Sequence, residues 1–424
     1  MAVITPDKLE IYPHIMGADR YSKVSYPLRY GRYGEIRTNK SIFQFNLNGE
    51  IKFIAGRGPD WPDPSEWLKR TVSNDWLYYS SGGYSGTMEY SGEYYVPCTQ
   101  YSSNSILLNS PFDNKSVQNA IKSYDKLYDK INGLKSDEFS AETRLFLEKI
   151  KKWPPESLKK RKSQLREILG DRITVLPPDT RHVDYEVIPI VIADGCLYKC
   201  SFCALKSPKK YSLRTAQNIR DQTGALKQFY GEDIKNYNSL FLAQHDALNA
   251  GIDVIEQTAR NAIEEFGLGD SNIGGLNLFL FGSAGSLLKA DEGFFRRLSR
   301  LPVRTFINIG LESADRETLE YIKKDITMKD VETAFSRMLQ INGEYDRIEL
   351  TANFLFGDKL PDNHYPGIFR LFEKYVSRPQ WKGTVYFSPL MGNDKNEIRG
   401  TKRKFYDIKR KLRVPCFLYL IQRL

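Results

Sequence analysis

The chain has 424 residues, a formal net charge of +10 and 41% hydrophobic residues. That length accommodates two or three folding units, and the absence of any run of about 18 apolar residues excludes an integral helical membrane protein. No basic stretch leading into an apolar core opens the sequence, so the expected location is the cytoplasm, where cysteines stay reduced.

Residues 1–113 are expected to form a β-rich, aromatic N-terminal domain that shapes or covers a substrate site. Alternating apolar and polar residues over 42–47 and 50–54 flank Asn48-Gly49, the strongest short hairpin signal. Gly82, Gly83, Gly86 and Gly92 punctuate a segment carrying Tyr84, Tyr90, Tyr94 and Tyr95, which predicts short strands joined by tight turns. These tyrosines either fill a small core or stack on a ligand. Over 114–180 the spacing becomes helical: Val117, Ile121, Tyr124, Leu127, Tyr128 and Ile131 recur every three or four positions, and the segment reads as a helical connector.

From residue 185 strands and helices alternate. Strands are predicted over 187–193, 239–243, 276–281, 304–311, 348–356 and 384–387, and helices over 215–230, 252–266, 291–301, 315–342 with a break near Thr327, 363–376 and 394–412. Near-continuous apolar strands separated by helices predict a parallel sheet covered by helices. Six such repeats are too few for a closed eight-stranded barrel. The expected fold is therefore α/β, a partial (β/α)6 barrel over 185–392 with its chemistry at the carboxyl ends of the strands. Residues 393–424 would supply a C-terminal helix and an apolar end, in which 416–424 add an edge strand or cover the barrel.

The chemistry is concentrated in one loop. Cys196, Cys200 and Cys203 fall within eight positions of a chain that has five cysteines, and they follow directly on the first predicted barrel strand. Thiolates at this spacing point to a metal or iron–sulfur site rather than to disulfides, and three of them leave a four-coordinate site one ligand short. A structural zinc site would need the fourth ligand from His or Cys. His14, His182, His245 and His364 form no second ligand pair with Cys98 or Cys416.

Cys196-x3-Cys200-x2-Cys203, with the aromatic Phe202, resembles the cluster loop of the radical S-adenosylmethionine (SAM) superfamily, its core being of the elongator-subunit, MiaB, NifB and HemN-like type. The resemblance implies that the three cysteines hold a [4Fe-4S] cluster whose remaining iron is chelated by SAM. Reductive cleavage of SAM would then give a 5′-deoxyadenosyl radical that abstracts hydrogen from a substrate. Three further stretches match. Ala243-Gln244-His245-Asp246-Ala247-Leu248 ends the second strand, where the resemblance gives Asp246 the SAM amino group and leaves His245 as a substrate-side candidate. Gly310-Leu311-Glu312-Ser313 ends the fourth, with Glu312 toward the SAM ribose or carboxylate. Asn353 in the fifth strand and Ser283 after the third are further SAM-facing candidates. Cys98 and Cys416 are unassigned thiols that could return a hydrogen atom to a substrate radical, and no second cysteine cluster follows the barrel. The implied partners are a flavodoxin or ferredoxin-type reductant and a small-molecule or peptide substrate. RNA modification, suggested by the +10 charge, is the alternative, and a non-catalytic zinc-binding or interaction protein is the alternative from another class.

Overall fold

The computed structural model describes every residue except 1–2, 6–7, 23–27, 82–86, 88–94, 100–109, 136–138, 172, 174, 204–209, 244 and 391–394. The glycine-rich turns at 82–92, with Tyr84, Tyr90 and Tyr94, and Gln244 lie outside the described residues. Strands β1 (Val3–Ile4), β2 (Glu10–Met16), β3 (Arg32–Arg37), β4 (Ser41–Phe45), β5 (Ile51–Gly56), β6 (Trp67–Arg70), β7 (Trp76–Ser80) and β8 (Val96–Cys98) form one antiparallel meander in sequence order. The Asn48-Gly49 turn joins β4 to β5 as predicted. Gly49 has φ +86°, and a Cβ there would lie 2.5 Å from the Lys149 carbonyl carbon, so the tip accepts no side chain. Helices α1 (Lys115–Gly133), α2 (Ala141–Lys151) and α3 (Pro155–Leu169) follow. Asn114 and Ser140 cap the first two, and Phe45 packs against Tyr124 of α1 and Phe146 of α2.

The second half alternates as expected. Strand β9 (Ile188–Val191) is followed by the short strands β10 (Ala193–Asp194) and β11 (Ser212–Leu213), helix α4 (Ala216–Tyr230), β12 (Ser239–Ala243) and α5 (Ile252–Phe266). Then come β13 (Asn277–Ser283), α6 (Ala284–Lys289), α7 (Glu292–Ser299), β14 (Arg304–Glu312), α8 (Arg316–Tyr321), α9 (Met328–Glu344) and β15 (Ile348–Phe356). Last are α10 (His364–Tyr375), β16 (Val385–Pro389), α11 (Lys395–Lys411) and β17 (Cys416–Leu418). All seven long-sheet strands run parallel in the order β17-β16-β15-β14-β13-β12-β9. The six predicted strands are present, and the apolar C-terminal stretch adds the seventh. Among the described residues β9 does not pair with β17, so the sheet stays open. Thr327 breaks α8 from α9 by a capping box with Asp330. Helix α6 was not expected: its glycine-serine start reads as a turn, but Ser283 and Ser286 form a capping box there.

The meander sits on the amino ends of the barrel strands, opposite the cysteine loop. Lys52 and Lys69 both pair with Glu186, just before β9, while Asn46 and Leu47 bond to Asp233, just before β12. The expectation that this domain shapes or covers the substrate site is therefore corrected for the described residues. Its inward charges match acids at the barrel base, and that complementarity places it there. Residues Pro178–Val183 plug the same end: buried Asp179 accepts hydrogen bonds from Thr351 (2.8 Å) and Tyr386 (2.9 Å), and His182 stacks on Phe306.

Candidate active site at the carboxyl ends of the parallel strands

The cysteine loop leaves β10 and returns at β11, and these two strands pair antiparallel as a clasp at its base. Arg214 reinforces the clasp with two bonds to Asp194, at 3.0 and 2.9 Å. The loop is tied down a second time where Ser201 donates its backbone N–H to the Ile322 carbonyl (2.8 Å). Cys200 is buried, Cys196 and Cys203 are half-buried, and none of the three is in a disulfide. The Tyr198 backbone N–H lies 3.4 Å from the Cys196 sulfur. Burial pushes the Cys200 thiol up to about 11, opposed by Lys324 and reinforced by Glu312 and the other two thiols, so a metal that takes this sulfur displaces a proton.

Next to the loop stands a buried polar group. Glu312, at the end of β14, has φ +66° and coincides with a β-bulge against β15. Non-glycine residues adopt that conformation rarely, and it concentrates at functional sites. The carboxylate lies 3.6 Å from the Lys324 ammonium and accepts a 3.1 Å bond from the Asn353 amide, whose oxygen takes one from Ser388 (2.9 Å). Gly310 makes room for this group: a Cβ there would lie 2.5 Å from a Glu312 oxygen. Burial raises the Glu312 pKa against the pull of Lys324 and Asn353. Burial works against the Lys324 charge, yet Glu312 and Cys200 hold its pKa above the ordinary lysine value. The Lys324 ammonium also lies 4.7 Å from the Tyr198 ring centroid.

The Glu312 turn is locked from behind. Ser313 donates to His364 Nδ1 (2.8 Å), and His364 Nε2–H donates to the Leu355 carbonyl (2.9 Å), which fixes the tautomer of a fully buried ring. Burial drops the His364 pKa to about 4. On the other side Asp246 is buried and receives the Ser283 hydroxyl (2.7 Å) and backbone N–H (3.2 Å). The Ser283 hydroxyl is in turn 3.4 Å from the Tyr198 hydroxyl. Asp246, Ser283 and the cysteine loop thus form one connected group, and Glu312, Asn353 and Lys324 a second beside it.

His245 follows β12, half-buried, its pKa lowered by burial. Phe202 packs part-buried on the core. The structure does not bring Cys98 or Cys416 to the loop. Cys98 lies in the core of the other sheet, and Cys416 begins β17 opposite Val385, at the amino end of the barrel. Sequence reasoning missed Lys324 and Tyr198. The dipeptide Lys323-Lys324 looks like a solvated helix end, and only the docking of the loop on Ile322 reveals the burial.

The three thiols, the hydrogen bond to one sulfur and the ammonium beside them suit an iron–sulfur cluster. Tetrahedral zinc needs its sulfur donors about 2.3 Å from one centre, whereas a cubane takes one thiolate at each of several irons.

The fold is an open parallel α/β barrel with a three-cysteine loop after its first strand. Residues 190–372 match the family model described as the Radical SAM superfamily, so this stretch of the chain is a radical SAM domain. The cofactors of that class are a [4Fe-4S] cluster and SAM. Similar solved structures include the radical SAM methyltransferase TsrM from Kitasatospora setae with cobalamin and [4Fe-4S] cluster bound, at 18% identity and TM-score 0.34, over 48% of this chain and 36% of that one. A radical SAM methyltransferase from Sphaerobacter thermophilus shows 16% identity and TM-score 0.39, over 55% of this chain and 65% of that one. Methylornithine synthase (PylB) shows 13% identity and TM-score 0.31, over 69% and 81%. The chain thus spans 36% and 65% of the lengths of the two methyltransferases. No curated protein matches it.

Proposed function

We propose that this chain reductively cleaves SAM and uses the product to abstract hydrogen from a small-molecule or peptide substrate. When bound, the cluster and SAM supply a 5′-deoxyadenosyl radical, and a flavodoxin or ferredoxin-type protein supplies the electron. The observation that carries the reading is the buried Glu312–Lys324–Asn353 group beside three cysteines outside any disulfide at the carboxyl end of an open parallel barrel. In this reading Cys196, Cys200 and Cys203 hold the cluster, and Lys324 meets the SAM carboxylate. Asp246 takes the amino group with the acceptor capacity left beyond Ser283, and Glu312 with Asn353 orients the ribose.

The substrate class is supported by the mouth of the site. Leu197, in the cysteine loop, and Leu390, directly after β16, are exposed apolar side chains at the carboxyl ends, and they suit a partly apolar molecule better than a phosphate backbone. Anaerobic reconstitution with iron and sulfide should give a cluster absorbing in the visible range and, with SAM and dithionite, 5′-deoxyadenosine. Cys196→Ala should abolish both. A purified protein that holds zinc and takes up no cluster would refute the proposal, and RNA binding that falls steeply with salt would redirect it to RNA modification.

A further inference from the structure

At the opposite end of the barrel, where the meander meets the strand bases, lies a cavity walled by Tyr30, Phe45, Tyr79 and Tyr237. Arg29 enters it with its guanidinium stacked 4.1 Å from the Phe53 ring centroid and 3.8 Å from that of Trp67. Its Nε donates to Gln44 (2.8 Å) and its Nη1 to the Leu28 carbonyl (3.3 Å). Its Nη2 is shielded from solvent and meets no hydrogen-bond partner among the described residues, and the same holds for the Tyr21 hydroxyl. Among the described residues no carboxylate forms an ion pair with Arg29.

Most of the other charges lining the cavity have partners: the Asp184 carboxylate faces the Tyr95 hydroxyl at 3.3 Å. Lys52 and Lys69 share Glu186, and Asp233 accepts from Asn46, the Leu47 backbone and Asn236. Glu186 Oε1 meets the Lys69 ammonium as an ion pair, and the donors left over among the described residues are the Arg29 Nη2 and the Tyr21 hydroxyl. A guanidinium shielded from solvent and without a direct ion pair is unfavourable; burial lowers the Arg29 pKa to about 10 against the opposing pull of Asp184 and the nearby tyrosines, and a bound anion would offset that cost. Two donors, one a guanidinium edge and one a phenol, match the two oxygens of a carboxylate. The cavity offers about 50 Å³ for the centres of water-sized atoms, space that roughly three to five waters would occupy, and its aromatic walls suit a short hydrocarbon stem.

We infer that this junction is a second binding site, for the carboxylate end of a small metabolite, with Arg29 and Tyr21 as its donors. Because it lies at the amino ends of the strands, it stands independently of what the carboxyl ends bind. A ligand here would bridge the meander and the barrel, so occupancy should register as stability of the whole chain.

The test uses the full chain without reconstituted cluster, with acetate and propionate as probes, inorganic phosphate as the competing anion and chloride as the ionic-strength control. Saturable heat of binding and a rise in Tm are expected with the two carboxylates and not with chloride. Arg29→Gln should weaken binding at least tenfold. Tyr21→Phe, which keeps the ring, should weaken it by about three- to tenfold, the usual effect of one hydrogen bond, and carries the test if Arg29→Gln does not fold. No saturable binding by either carboxylate, or binding undiminished in Tyr21→Phe and Arg29→Gln, overturns the site. Tighter binding of phosphate than of both carboxylates overturns the ligand class.

Discussion

At residue scale the active-site end depends on one unusual backbone position. A left-handed glutamate costs about 1–3 kcal/mol, and Glu312 is kept in that conformation by the Ser313–His364–Leu355 bonds behind it and the Lys324 ammonium in front. Lys324→Met leaves the buried carboxylate without its cation, and removing one partner of a buried pair typically costs about 3–5 kcal/mol. Urea denaturation should show a loss of that order, and SAM affinity should fall with it. The double variant Lys324→Met/Glu312→Gln should recover part of the stability but not the affinity. His364 makes a separate prediction in pH. Its folded pKa of about 4 lies below the unfolded 6.5, so the folded state binds fewer protons. The resulting stability is complete above pH 6.5 and is lost as pH falls toward 4, by about 3 kcal/mol for a shift of this size. In His364→Gln the pH–stability curve should be flatter across that window; an unchanged slope would remove the ring from the account.

At the scale of elements, the clasp decides whether the cysteine loop keeps its shape without metal. β10 and β11 contribute two residues each, too little to persist alone, and the Asp194–Arg214 pair is the added constraint. Arg214→Leu should lower the iron retained after reconstitution severalfold while shifting the Tm of the metal-free chain little, because the described part of the loop lends the core only Cys200 and the half-buried Phe202. Iron content equal to that of the parent protein would show the clasp to be dispensable. Elements of this half are legible in sequence for a physical reason. Parallel strands buried on both faces, such as Ile188–Val191, read as near-continuous apolar runs, and the glycines and cap residues beside them mark their ends. The meander was legible only at its Asn48-Gly49 hairpin. Strands such as Arg32–Arg37, with Arg32, Glu35 and Arg37 among six residues, carry charges that alternation cannot assign to a face. Glu35 is buried against Arg37 and Gln44, and Lys324 is buried by a loop far away in sequence. Such pairings exist only after folding, so no local pattern announces them.

At the scale of the molecule, the two sheets are joined by buried charge as much as by apolar surface. Glu50 of the meander hairpin meets Arg70 of β6 at 2.6 Å and Arg161 of the connector helix α3 at 3.2 Å, all three side chains being at most 6% exposed. Arg161 continues to the Phe229 carbonyl of α4 (2.7 Å) and stacks on the Phe229 ring. The network therefore links meander, connector and barrel, and the hydrophobic core runs through all three. Replacing Glu50 by Gln removes the one carboxylate between two buried guanidinium groups, which then face each other uncompensated at low effective dielectric. The expected loss is about 3–5 kcal/mol. Since the core is shared, the meander should not detach first: fluorescence of Trp61, Trp67 and Trp76 in the meander and far-UV dichroism of the barrel helices should report one coincident transition, moved to lower urea with the same slope. Two separated transitions in Glu50→Gln would instead mean that the network alone couples the meander to the barrel, and that the apolar contact between them is too weak to hold the base of the sheet in place.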